Sequence, residues 1–171
     1  MIDKRADAEQ RPTVPRAPFC LRLTFAYDRN QPDNGIRLIR VERIRATAPG
    51  LSTPPPRAGQ GGAWFEVRGG EEQLLYYSVL HDPMPDTREV FADANGEPDL
   101  ARVPSTQSHG EFSTLVPDLP LAKSLVFHAA LAPAASGSRS GYPDVRRRAA
   151  RELLRIPFQE LRDRAAGKSP P

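Results

Sequence analysis

The stretch from Gln73 to Pro83, QLLYYSVLHDP, sets two tyrosines, a histidine and an aspartate close together. His81 and Asp82, with Asp86 just beyond, are the residue types of an acid–base pair or of a metal site. Tyr76 and Tyr77, with Trp64, have the flat faces and polar tips that can stack on sugar rings. Each reading has a structural competitor. Zinc needs three or four convergent ligands, and the one cysteine, Cys20, and the three histidines, His81, His109 and His128, share no familiar ligand spacing. An aspartate ahead of Pro83 is also a turn former, and aromatic residues on adjacent strands usually fill cores. The stretch is therefore read as framework. A carbohydrate site on Trp64, Tyr76 and Tyr77, and an unrecognised hydrolase around His81 and Asp82, are its functional alternatives.

Other chemistry is thinner. Asp93, Asn95 and Asp99 offer oxygen ligands around Gly96, but the twelve-residue calcium loop with its terminal glutamate is absent, so a hairpin turn is predicted. Cys20 falls on the opposite pleat from Phe19 and Leu21 and reads as a small packing residue. No Gly-x-Ser-x-Gly elbow, phosphate-binding glycine loop or dinucleotide fingerprint occurs. No catalytic residue, metal or cofactor is predicted, and an enzyme is not supported.

The elements that would position these residues follow from composition and patterning. A chain of 171 residues suits one domain with tails, and its 19 prolines argue against a helical bundle. A single cysteine excludes an intrachain disulfide. The start, MIDKRADAEQRP, lacks the apolar core of a secretory signal, and no later run approaches a membrane span, which predicts a cytoplasmic protein. The net charge of +3 is uneven: residues 1–138 carry −2 and residues 139–171 carry +5. Basic character is concentrated in the tail.

Residues 1–18 read as a flexible arm. FCLRLTFAY alternates, with Phe19, Leu21, Leu23, Phe25 and Tyr27 on one side, as a half-buried strand does. Ile36 to Arg45 fits neither period and is predicted to be a strand with a bulge. APGLSTPPPRAGQGG is a long proline-rich loop. AWFEVRG and QLLYYSVL form two more strands joined at Gly69-Gly70, the second central because both its faces are apolar. Thr87 to Ala92, Glu111 to Val116 and Lys123 to Ala130 complete seven strands within 19–132, the pattern of a β-sandwich.

WFEVRGGEEQLLYYSVLHDP and GEFSTLVPDLPLAKSLVFHAAL resemble a recurrent bacterial immunoglobulin-like β-sandwich module of unassigned function, in which a strand ends in a Leu-His-Asp-Pro turn and a hairpin carries Val-Pro-Asp-Leu-Pro. The resemblance spans roughly residues 19–131. It implies an immunoglobulin-like sandwich and a supporting or substrate-binding role, since similar modules occur beside secreted peptidase domains. This chain carries no peptidase zinc motif.

Beyond a small-residue linker at 133–142, the tail has helical periodicity over 143–166, ahead of a loose end at 167–171. Val145, Ala149, Leu153 and Ile156 share a stripe, Pro157 should break the helix, and Phe158, Leu161 and Ala165 continue in a second short helix. The prediction is an all-β, immunoglobulin-like sandwich of about seven strands with a C-terminal amphipathic helical appendage. It would act as a non-catalytic adaptor, docking a protein partner through Val145, Leu153, Ile156, Phe158 and Leu161, assisted by Arg146, Arg147, Arg148 and Arg151. Binding of nucleic acid or an anionic surface by the arginines is the alternative, and packing of the stripe on the chain's own sandwich is the structural competitor.

Overall fold

The computed structural model describes residues 17–31, 35–50, 62–85, 87–94, 97–104, 107–130 and 149–168. Residues 1–16 of the arm predicted at 1–18, the linker at 133–142 and the start of the predicted helix lie outside them. The chain is mostly β. Its strands are β1 (Cys20–Asp28), β2 (Arg37–Ile44), β3 (Ala63–Arg68), β4 (Leu74–Leu80), β5 (Thr87–Ala94), β6 (Glu97–Pro104), β7 (His109–Pro117), β8 (Ser124–Ala129) and β9 (Arg151–Pro157). One helix, α1 (Phe158–Ala165), follows.

Seven of the strands form two antiparallel sheets, ordered β2-β1-β7 and β4-β3-β8-β9, while among the described residues β5 and β6 pair only with each other. Alternation in β1 does what its pattern predicts: Leu21, Leu23, Phe25 and Tyr27 turn inward and are buried. Phe25 stacks on Phe65 of β3 at 5.6 Å and on Phe112 of β7 at 5.3 Å, so the two sheets share one apolar interior. Cys20, off that stripe, is buried as well and donates its thiol to the Ala46 carbonyl.

The irregular pattern of β2 has the predicted cause. Thr24 faces Arg40 and Phe25 faces Leu38, so Ile39 is an extra residue in the ladder, and it stands 42% exposed.

Three expectations are corrected. The strand around Tyr76 is an edge strand, not a central one. It looked central because Tyr76 faces the interior while Tyr77, on the opposite face, is also buried. A strand also forms at 97–104, in a segment with little pattern of its own. The third correction is the largest. Residues 151–157 are not helix but the strand β9, which pairs antiparallel with β8 and completes the four-stranded sheet. Here too a bulge misleads: Phe127 faces Leu154 and His128 faces Glu152, leaving Leu153 as the extra residue. That insertion puts Leu153 and Ile156 at a spacing that mimics one helical face.

The short helix after Pro157 forms as expected. Proline suits the start of a helix because it has no N–H to leave unpaired. Phe158 donates its backbone N–H to the Lys123 carbonyl, and its ring and the Leu161 side chain are fully buried in the core. α1 also touches the edge strand β2, where Arg164 donates to the Leu38 carbonyl.

Candidate functional site

The densest polar arrangement lies on the outer face of the four-stranded sheet, built by the period-two rule. In β3, Ala63, Phe65 and Val67 face the core, which sends Trp64, Glu66 and Arg68 to the other side. Register then decides their neighbours: Glu66 lies between Tyr77 of β4 and Val126 of β8, Trp64 lies beside His128, and His128 in turn faces Glu152 of β9.

Glu66 is the centre, and it is buried despite its charge. Its Oε1 accepts the Trp64 indole N–H at 3.0 Å, and its Oε2 accepts the Arg68 Nε–H at 2.8 Å with a second contact from Nη2. Burial alone would raise its pKa. The indole and guanidinium hydrogen bonds, with His128 and the Arg68 charge close by, outweigh burial and hold the carboxyl below the usual glutamate value. His128 stacks on the Trp64 indole at 5.0 Å between ring centroids, with the planes 11° apart. Its Nε2 lies 3.5 Å from the Glu66 Oε2, is itself buried, and has no hydrogen-bond partner among the described residues.

From Glu66 the charges run on as a chain. Arg68 reaches Glu72 at 2.8 Å, Glu72 accepts from Arg155 at 2.9 Å, and Arg155 pairs with Glu152 at 2.9 Å. The hydrogen bond from Arg155 lowers the pKa of Glu152, and bonds from Arg155 and Arg68 lower that of Glu72. This ties β9, across β8, to β3 and the β3–β4 turn. Chemically, an ionised carboxylate beside an imidazole is the orienting half of an acid–base pair. Here the carboxylate is already occupied by Trp64 and Arg68, and one face of the imidazole is covered by the indole.

A second cluster holds α1 in place. Asp118, in the Val-Pro-Asp-Leu-Pro turn, accepts from Arg43 and from Arg162, each at 3.0 Å, and Arg162 also donates to the Leu119 carbonyl. Arg43 lies over the Phe19 ring at 3.9 Å and Arg162 over Phe158 at 4.9 Å.

The residues expected to dock a partner are dispersed. Val145, Arg146, Arg147 and Arg148 lie outside the described residues. Arg151 opens β9, exposed, and Leu153 is half-buried at its bulge. Ile156, Phe158 and Leu161 are buried in the chain's own core, so they present no stripe to a partner. Trp64, Tyr76 and Tyr77 make no common platform, because Tyr76 points into the core and donates to the Pro49 carbonyl while the other two are buried on the opposite face. His81 and Asp82 are exposed at the end of β4. Among the described residues no three His, Cys, Asp or Glu side chains gather as a metal would require, and no helix is long and apolar enough to cross a membrane.

Sequence reasoning missed the cluster around Glu66. The available signal was Glu66-x-Arg68, an acid and a base two apart and so on one face of a strand, followed by Glu72 in the tight turn. No family model matches the chain, and no curated protein and no solved structure matches it.

Proposed function

We propose that the chain is a non-catalytic binding module that engages a protein partner through the β5–β6 ribbon rather than through its C-terminal helix. The observation that supports this is the ribbon itself: two eight-residue strands in unbroken register from Thr87↔Pro104 to Ala94↔Glu97, paired with no other strand among the described residues. A two-stranded ribbon is marginal in water unless something packs against it. Its ladder sets Phe91 opposite Leu100 and Val90 opposite Ala101 with no register shift. The arginines at 146–148 are assigned a secondary role as assisting cations.

The fold belonging to this proposal is an immunoglobulin-like sandwich. In its favour, β4-β3-β8-β9 has the order of an immunoglobulin C′-C-F-G sheet. The other sheet departs from that plan, because its first strand lies inside with the second at the edge.

The test replaces residues 87–104 with a short Gly/Ser loop in the otherwise full chain and compares co-purified partners with those of the wild type and of an Arg146→Ala, Arg147→Ala, Arg148→Ala triple variant. Loss of the principal partner on ribbon removal, with far-UV circular dichroism still β-type, is the expected result. An unchanged partner set for the folded, ribbonless chain would overturn the reading.

A further inference from the structure

The two sheets have four edge strands, and three are guarded. β2 carries Arg37, Arg40 and Arg43, is bulged at Ile39, and has its Leu38 carbonyl taken by Arg164. β9 carries Arg151, Glu152 and Arg155, is bulged at Leu153 and ends in Pro157. β4 is bulged at Leu75, where its ladder to β3 shifts register. Charges, bulges, prolines and covering segments are the devices that stop an edge from pairing with another chain. β7 has fewer of them, although it too ends in a proline, Pro117. It matches β1 residue for residue from Cys20↔Pro117 to Asp28↔His109 without a bulge, and its only carboxylate is Glu111. From His109 to Thr114 its residues alternate between exposed and half-buried, and among the described residues no backbone group between His109 and Val116 bonds outside the ladder to β1.

We propose that this edge pairs with a second copy of the chain, β7 running antiparallel to β7 about a two-fold axis at Ser113 and joining the two three-stranded sheets into one of six. Self-complementarity in that register selects a second copy over another occupant. Half-buried Phe112 falls opposite Thr114 of the second copy, and the reverse, giving two aromatic–β-branched pairs. Glu111, which makes no ion pair among the described residues, falls opposite Leu115 of the second copy, whose neighbour in the ladder is Arg22. That arginine is 50% exposed and 3.7 Å from its present partner, Glu42. It would lie two strand spacings from Glu111, about 10 Å between Cα atoms, within the joint reach of the two side chains. The axis meets an exposed serine, so nothing bulky obstructs it. Closed two-fold pairing of this kind uses one surface twice and does not propagate.

Sedimentation velocity on the full chain from micromolar to submillimolar concentration tests the idea. The wild type should dimerise, and Ser113→Lys, which faces two ammonium groups across the axis, should weaken association by about tenfold or more. Ser113→Cys should cross-link on oxidation, because facing residues on paired strands approach within disulfide reach, whereas Cys20 is buried and stays out of the reaction. Glu111→Lys weakens the same contact from a second exposed position, and it decides the matter should the Ser113→Lys chain fail to fold. A wild type that stays monomeric throughout overturns the proposal, even if its β7 edge captures some other peptide. So does a dimer that Ser113→Lys and Glu111→Lys leave intact, or one that Ser113→Cys fails to link.

Discussion

Truncating Phe158 to alanine separates a C-terminal segment that belongs to the core from one that hangs off it. The ring is fully buried among residues of the shared interior, one residue past the end of β9, with the Arg162 guanidinium over one face. Deleting a phenylalanine from such a site costs about 3–5 kcal/mol, the sum of lost transfer energy and the cavity left behind. For a chain of this size each kcal/mol lowers Tm by about 2–4 °C, so the variant should melt about 6–20 °C below the wild type. Urea unfolding followed by the emission of Trp64, the only tryptophan, should show the midpoint falling with the slope unchanged. Leu161→Ala, at an equally buried position, should cost about 2–5 kcal/mol. Were residues 158–165 an appendage, neither truncation would move the melt by more than about 2 °C, since surface changes stay within about 0.5 kcal/mol. That outcome would refute the placement of α1 in the core and reopen the docking stripe.

Stability should also respond to acid through Glu66. Its folded-state pKa lies below the ordinary glutamate value, so its contribution is present above the unfolded-state pKa and is lost as pH falls through the folded one. Urea midpoints measured down the acid range should fall less steeply in Glu66→Gln than in the wild type, and parallel curves would contradict the hydrogen-bond network drawn around it. Gly110→Ala should destabilise by about 1–3 kcal/mol in thermal melts, because the added methyl would sit 2.7 Å from the Tyr27 hydroxyl and 2.9 Å from the ring carbon that bears it. Cys20 should resist Ellman's reagent in the native chain and react fully in urea, since burial first and the Asp118 charge second push its thiol pKa up; native reactivity would place the residue at the surface.

How far the fold was legible depended on whether a strand kept its period. β1 kept it for its whole length, and β7 and β8, joined by Val-Pro-Asp-Leu-Pro, were bounded by turn residues on the side that mattered. β2 and β9 each contain one extra residue, which moves the apolar set off period two. In β2 the bulge was recognisable because Ile36, Ile39, Val41 and Ile44 are β-branched and disfavour helix. In β9 the residues are Arg, Glu, Leu, Leu, Arg and Ile, most of them good helix formers, and they follow an arginine- and alanine-rich run. Local preference there points to helix, and pairing with β8 overrides it.

The same override explains the polar cluster. Glu66, His128 and Arg155 are far apart in the chain, and only the β3–β8–β9 register brings them onto one face. Arg155 illustrates how a single residue can be read two ways. On a helix it would be one more cation in a solvated stripe; on β9 it sits opposite Val126, close enough to bond both Glu152 and Glu72. A helix has no such cross-strand neighbour to offer, whereas the strand also returns Ile156 to the core opposite Leu125. The gain from inserting Ile156, Phe158 and Leu161 into the interior, about 1.5–3 kcal/mol for each large apolar side chain buried, exceeds the few tenths per residue by which helix propensity favours the alternative. Strand pairing and core burial thus account for residues 151–165 without a docking role for Ile156, Phe158 or Leu161.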